Sequence, residues 1–169
     1  MPSDGWTVTS FDTADVAQVT AALRSCNAAA SFAPAVAAGR PYGSADALVA
    51  RAGEVSRALP WEEVAQALAA HPRIGDRVSG DSAEAASSRR EQSSMGSADE
   101  QVTEAILAGN RAYEDRFDHV FLIRAAGRTP AEMLAELQRR LTHTPEQERP
   151  EVLEQLAQIT ELRVRGLVA

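Results

Sequence analysis

Helix-start signals punctuate this chain from end to end, and they leave little room for any fold but a set of short packed helices. Thr129-Pro130-Ala131-Glu132 is a capping box with proline in the first turn, and Thr144-Pro145-Glu146-Gln147 repeats the device. Ser97-Ala98-Asp99-Glu100 fits the same pattern and opens a long helix through Ile106, Asn110, Tyr113 and Phe117. Nearer the start, Asp12 or Thr13 caps a helix running to about Arg24, with Val16, Val19 and Leu23 on one side. Ser31-Phe32-Ala33-Pro34 opens a short helix that Gly39 and Pro41 end. Ser44 caps the next, which carries Leu48, Val49, Val55 and Leu59. Pro60 then suits a first helical position, followed by Glu62 and Glu63 where acids favour the helix dipole. That helix bears Trp61, Val64, Ala65 and Leu68, and it must end near His71 because Pro72 disfavours helix at the residue before it.

Two stretches break the helical pattern. Residues 75–83 are polar and glycine-containing and read as a loop. Val120-Phe121-Leu122-Ile123 is the one strand-like run, but four residues without partner strands make a poor sheet. It reads as buried irregular backbone or a helical turn. The last helix is expected from about Pro150 to Arg165. Abundant alanine, leucine, arginine and glutamate support helix throughout. The predicted fold is all-α, a single compact multi-helix domain over residues 1–169, a length able to bury a core.

Composition removes several chemistries. All 17 basic residues are arginine. Without lysine there is no Schiff base, no covalently held pyridoxal phosphate and no P-loop. A net charge of −7 and a pI near 5.0 do not suit a nucleic-acid partner, which needs clustered positive charge. An anionic ligand would have to be met by a few placed arginines. The single cysteine, Cys26, allows neither an internal disulfide nor a cysteine metal cluster, and a reducing cytoplasm is the natural compartment. The N-terminus shows no secretion signal, and no apolar stretch approaches the ~20 residues of a membrane span. Gly166-Leu167-Val168-Ala169 is not a peroxisomal address. No histidine pair has metal-ligand spacing, and there is no Gly-rich nucleotide loop or nucleophile elbow.

A few residues stand out as candidates for chemistry. His71 lies where a helix stops and a loop begins, in Ala70-His71-Pro72-Arg73-Ile74-Gly75-Asp76. It is either a histidine capping the last carbonyls or a proton donor and acceptor at a cleft. Ser88, Glu91, Gln92 and Met95 share one helical face by their spacing. That face is either a solvated surface beside Arg89 and Arg90 or a hydroxyl, carboxylate and amide set for a small polar ligand. Arg163 lies on the stripe of Leu156 and Ile159, with Leu162 beside them. An arginine there either pairs with an internal glutamate or grips an anion bidentately. Asn110, Tyr113 and Phe117 continue the stripe of Ile106 and read as helix packing with a polar anchor. His119 and His143, in or near loops, read as surface residues.

Taken in order, these motifs resemble one family. His-Pro-Arg-Ile-Gly at 71–75 is followed by Ser-x-x-Glu-Gln-Ser at 88–93 and Asn-x-x-Tyr-Glu-x-Arg-Phe at 110–117. Phe-Leu-Ile-x-Ala at 121–125, Gly-Arg at 127–128, Leu-x-x-Arg-Leu at 137–141 and Glu-Leu-Arg at 161–163 complete the series. The chain is similar, from about residue 12 to 165, to decarboxylases of 2-oxo-4-hydroxy-4-carboxy-5-ureidoimidazoline (OHCU) in urate degradation. One motif departs from the family pattern: Phe117-Asp118-His119 stands where Phe-Gly-Phe is usual.

The resemblance implies an all-helical homodimer that needs no cofactor and converts OHCU stereoselectively to (S)-allantoin and carbon dioxide. By motif position it implies a catalytic role for His71, with Glu91 and Arg163 beside it in the reaction. It also implies substrate binding by Pro72, Ser88, Gln92 and the segment Phe121, Leu122, Ile123, Arg124 and Ala125. The chemistry is compatible with the inventory, since OHCU carries its own electron sink in a ring imine. The protein has only to orient the carboxylate, exclude water and deliver a proton to one face of the product carbon. Two other classes fit parts of the pattern: a non-catalytic helical interaction module, and a hydrolase of a related ureide.

Overall fold

The structure is a computed structural model and describes residues 5–76, 80 and 82–169. Among the described residues there are nine α-helices, one 3-10 helix and no strand, so the all-α expectation holds. The chain forms two compact units. One comprises the chain up to Ala67 together with Leu156–Ala169, and the other is Leu68–Gln155.

The first unit begins with α1 (Val8–Thr13), capped by Thr7. The Thr7 hydroxyl accepts from the Ser10 N–H at 3.0 Å and Ser10 answers at the Thr7 N–H. Asp12 and Thr13, the expected caps of the helix to Arg24, belong to α1 itself, and that helix starts from Asp15 instead. Asp12 instead accepts the N–H groups of Tyr42 and Gly43, both at 2.9 Å, and so closes the turn before α4. The next helix, α2, runs over Val16–Arg24 from Asp15. Val19 and Leu23 are fully buried, but Val16 is 61% exposed, so the expected buried stripe starts one turn later. Then come α3 (Phe32–Ala38), α4 (Ala45–Arg57, capped by Ser44) and α5 (Trp61–Ala69).

Inside this unit a buried amide links distant segments. The Asn27 Nδ2 donates to Ser56 and Thr160 hydroxyls at 3.3 and 3.1 Å, and its Oδ1 accepts from the Ala29 N–H at 3.0 Å. Both amide hydrogens and the amide oxygen are thus paired, as a side chain with no solvent exposure requires.

The second unit holds α6 (Ala83–Glu91), a 3-10 helix (Ser93–Ser97), α7 (Glu100–Phe117), α8 (Pro130–Arg140) and the first half of α9 (Pro145–Leu167). Of the loop expected at 75–83, residues 77–79 and 81 lie outside the described residues; Ser82 caps α6 through the Ala85 N–H. The α7 cap is Asp99, which accepts from Val102 at 2.8 Å, and not Ser97. The 3-10 turn occupies the positions a Ser97 cap would need. The Thr129 capping box forms as read. Thr144 and Gln147 exchange the same pair of bonds, and they start α9 at Pro145 rather than near Pro150. Pro150 sits within the helix on an exposed position, where the carbonyl it leaves unpaired can be hydrated.

The α7–α8 contact sets the core of this unit. A Cβ at Gly109 would stand 2.5 Å from Leu137 Cδ2, so the glycine lets the buried Leu137 seat against α7 without shifting. Ile74, Ile106, Tyr113, Phe121, Ile123, Ala125, Met133 and Leu137 form one apolar cluster. The strand-like run is irregular, as one of the two readings had it, and it is buried at Phe121, Leu122 and Ile123.

At the edge of this cluster lies a buried ion pair. Arg140 and Glu148 are each 1% exposed. Arg140 Nε and Nη2 stand 2.6 and 2.5 Å from Glu148 Oε1, and Nη1 donates to the Leu122 carbonyl at 2.6 Å. The Tyr113 hydroxyl donates to the same carboxylate at 2.7 Å, and His143 Nδ1 lies 3.0 Å from its second oxygen. The guanidinium also stacks 4.7 Å from the Phe121 ring centre. His143 is therefore no plain surface residue. Nor is His119, whose half-buried ring sets its edge against Tyr113 with centroids 5.4 Å apart.

Two outcomes follow from these local geometries. Asp118 ends α7 at φ 63°, ψ 27°, in the left-handed region that glycine enters without a Cβ penalty. Asp118→Gly is expected to raise unfolding stability by about 0.5–1 kcal/mol in a urea titration. Burial pushes the Tyr113 phenol far above its ordinary value of 10.0, with Arg140 acting the other way. The folded state then keeps a proton that the unfolded chain releases, so this contribution is complete below about pH 10 and is lost as pH rises above it. Urea unfolding from about pH 9 to about pH 11 should show a decline that is shallower in Tyr113→Phe by up to about 1.4 kcal/mol per pH unit.

Candidate active site

Helix α5 ends at Ala69 because Pro72 disfavours helix at the residue before it, and His71 is left in the turn just past the helix end. The His71 N–H bonds the Leu68 carbonyl at 3.0 Å and the residue is half-buried. The following loop is pinned at three consecutive positions. Arg73 holds Glu114 of α7 through Nε and Nη2 at 2.6 and 3.1 Å. The Ile74 side chain enters the apolar cluster while its carbonyl accepts from Asn110 Nδ2 at 2.8 Å. Gly75 adopts φ 87°, closed to most side chains, and its N–H donates to Gln92 Oε1 at 3.2 Å. Asn110 is thus the buried polar anchor it was read as, and its partner is the histidine loop.

The bond from Gly75 joins the first two motifs. It also orients the Gln92 amide, since only the oxygen can accept, and leaves the Nε2 hydrogens for another group. Ser88 is fully buried on α6, and Glu91 and Gln92 are half-buried. The expected shared face with Met95 does not form. The α-helix ends at Glu91, Gln92 is its C-cap, and the chain tightens into the 3-10 turn. Ser93-Ser94 is a poor continuation because serine hydroxyls compete for backbone groups. Ser94 Oγ donates to the Arg128 carbonyl at 3.1 Å instead, and Met95 packs on the apolar cluster.

The segment 121–125 shares that cluster through Phe121, Ile123 and Ala125. Its backbone groups are met by side chains rather than by a neighbouring strand. Arg140 takes the Leu122 carbonyl at 2.6 Å, Gln155 Oε1 takes the Arg124 N–H at 2.9 Å, and Arg128 Nε takes the Arg124 carbonyl at 2.9 Å. His71, Pro72, Ser88, Glu91, Gln92 and residues 121–125 all belong to the Leu68–Gln155 unit. Arg163 belongs to the other unit. It is 7% exposed on the α9 stripe of buried Leu156 and Ile159, while Leu162 faces outward at 43%.

Sequence reasoning missed Arg140, Glu148 and Gln155. The signal for Arg140 was present: it follows Met133 and Leu137 at helical spacing, the same argument that singled out Arg163. Among the described residues no group of three or more His, Cys, Asp or Glu side chains could hold a metal ion. The polar inventory is an imidazole, a hydroxyl, a carboxylate and an amide on a framework fixed by side-chain-to-backbone bonds. Such a set can bind a small polar molecule and move a proton.

Comparison with known proteins bears on what this framework is. The family model for OHCU decarboxylase matches residues 12–165. A curated relative from Amia calva, 2-oxo-4-hydroxy-4-carboxy-5-ureidoimidazoline decarboxylase, is 31% identical over 138 residues, 80% of this chain and 79% of its own. The crystal structure of OHCU decarboxylase in the presence of (S)-allantoin superposes with a TM-score of 0.73 at 26% identity, covering 86% of this chain and 95% of that one. The structure of (S)-allantoin synthase superposes at 0.70 and 22% identity, covering 96% and 54%, and speaks for the fold alone. Matched over nearly its whole length, the chain belongs to the OHCU decarboxylase family.

Proposed function

We propose that this chain decarboxylates OHCU to (S)-allantoin in urate degradation, with no cofactor, as a single-domain homodimer in the cytoplasm. The observation that carries the reading is the Gly75–Gln92 hydrogen bond, which ties the histidine loop to the serine–glutamate–glutamine helix in a member of this family. In the reaction the carbon–carboxylate bond breaks and carbon dioxide leaves; the electron pair enters the ring imine, whose nitrogen takes a proton, the substrate hydroxyl gives up its proton as it becomes the product carbonyl, and a proton reaches one face of the former imine carbon. His71 exchanges that proton with the substrate hydroxyl or the developing centre. Glu91 orients His71 or the ureido group. Ser88 and Gln92 bind ring or ureido polar atoms, with Pro72 and residues 121–125 lining the substrate, and Arg163 holds an anionic oxygen. The supports are the fixed loop after His71 and the side-chain-held backbone at 122 and 124. A preorganised polar framework of this kind acts without the cost of rearranging during the reaction.

The test generates OHCU enzymatically from urate and follows its loss and the chirality of the product with and without the protein. Acceleration with (S)-allantoin as product is expected; decay and chirality equal to the spontaneous background contradict the reading. His71→Asn is expected to lower kcat by about 10²-fold or more, the usual scale for a general acid or base. Near wild-type turnover in a folded His71→Asn variant removes His71 from that role.

A further inference from the structure

We infer that the Arg124 side chain is the group that recognises the substrate's carboxylate, an inference that rests on the decarboxylase reading. The chain has 24 acidic residues against 17 arginines, so a guanidinium need not lack a partner. Arg57, Arg73, Arg139, Arg140 and Arg165 each stand within 3.0 Å of a carboxylate oxygen. Arg124 differs. It is half-buried, its Nε is buried without an acceptor, and its guanidinium forms no hydrogen bond or ion pair among the described residues. A buried polar nitrogen left in that state calls for a ligand, because desolvating it without a partner is costly.

The backbone beneath this side chain is held more firmly than an ordinary loop. The Arg124 N–H and carbonyl are both bonded, to Gln155 and Arg128, and the Leu122 carbonyl is held by Arg140. Ile123 and Ala125 on either side are buried in the apolar cluster. These bonds fix the origin of a side chain that has no intramolecular task of its own. A cation so presented suits a carboxylate, which its planar fork can take in two parallel hydrogen bonds. The same segment reaches the histidine loop through one chain of contacts: Arg128 accepts from Ser94 of the turn that follows Gln92, and Gln92 accepts from Gly75.

The chemistry sets where the effect appears. The carboxylate carries its full charge in the bound substrate and loses it as carbon dioxide departs. An arginine on that group therefore stabilises the ground state at least as much as the transition state, and its loss shows in KM rather than kcat. (S)-allantoin has no carboxylate, so its binding should not sense Arg124.

The experiment compares wild type, Arg124→Gln and Arg124→Lys in OHCU decarboxylation and in inhibition by (S)-allantoin. Arg124→Gln is expected to raise KM for OHCU about tenfold or more, with kcat within about twofold and allantoin inhibition within about twofold of wild type. Arg124→Lys should recover part of the KM, as a charge without the fork. Thermal unfolding should match wild type, since the side chain bonds nothing in the fold. An unchanged KM in Arg124→Gln, or an equal rise in KM and in the allantoin inhibition constant, overturns the inference while leaving the decarboxylase reading intact. No acceleration by wild type overturns both.

Discussion

The buried pair of Arg140 and Glu148 is the interaction on which the second unit depends. Two charges removed from water are stabilising only if their remaining hydrogen-bonding capacity is used. Here it is used by Tyr113, His143, the Leu122 carbonyl and the face of Phe121. Loss of one partner would leave a buried uncompensated charge, a change that typically costs about 3–5 kcal/mol. The pair thereby connects three helices, α7, α8 and α9, to the buried irregular segment at 121–125. It does for residues 121–125 what a neighbouring strand does in a sheet, which is to satisfy backbone groups that water cannot reach.

The histidine loop is built on the same principle at smaller cost. Its backbone groups at Ile74 and Gly75 are bonded by the side chains of Asn110 and Gln92, and Arg73, although exposed, is clamped to α7 by Glu114. Each is a side-chain-to-backbone or side-chain-to-side-chain bond between segments far apart in sequence. His71 and residues 121–125 thus sit on short irregular pieces of chain whose geometry is set by helices rather than by the pieces themselves. Rigid supports of that kind are what positioning chemistry requires.

Local signals in the sequence were sufficient where a local rule governs the outcome. The Ser44 and Thr129 caps, the stop at Pro72 and the buried irregular run at 120–123 all follow from propensities and steric rules acting over a few residues. Boundaries failed where two devices competed. The box of Thr7 and Ser10 opened a helix that absorbed Asp12 and left Asp15 to start α2, Asp99 displaced Ser97, and the Thr144 box carried α9 through Pro150. The face of Ser88, Glu91, Gln92 and Met95 assumed a continuous α-helix, and the 3-10 turn after Gln92 broke it. The residues of the proposed site were singled out as ordered motifs, whereas the partners that hold their backbone were not. Glu148 and Gln155 are unremarkable acid and amide positions on a polar helix until Arg140 and the Arg124 N–H are brought to them by tertiary packing.

The proposed function requires the segment pinned by Arg140 and Gln155 to line the substrate site together with the histidine loop. A crystal structure of this chain with bound (S)-allantoin measures it most directly. The ligand is expected against residues 121–125 and the Gln92 amide, with His71 within hydrogen-bond reach of a ligand polar atom. Allantoin seated elsewhere, with the 121–125 backbone and His71 out of contact, contradicts it.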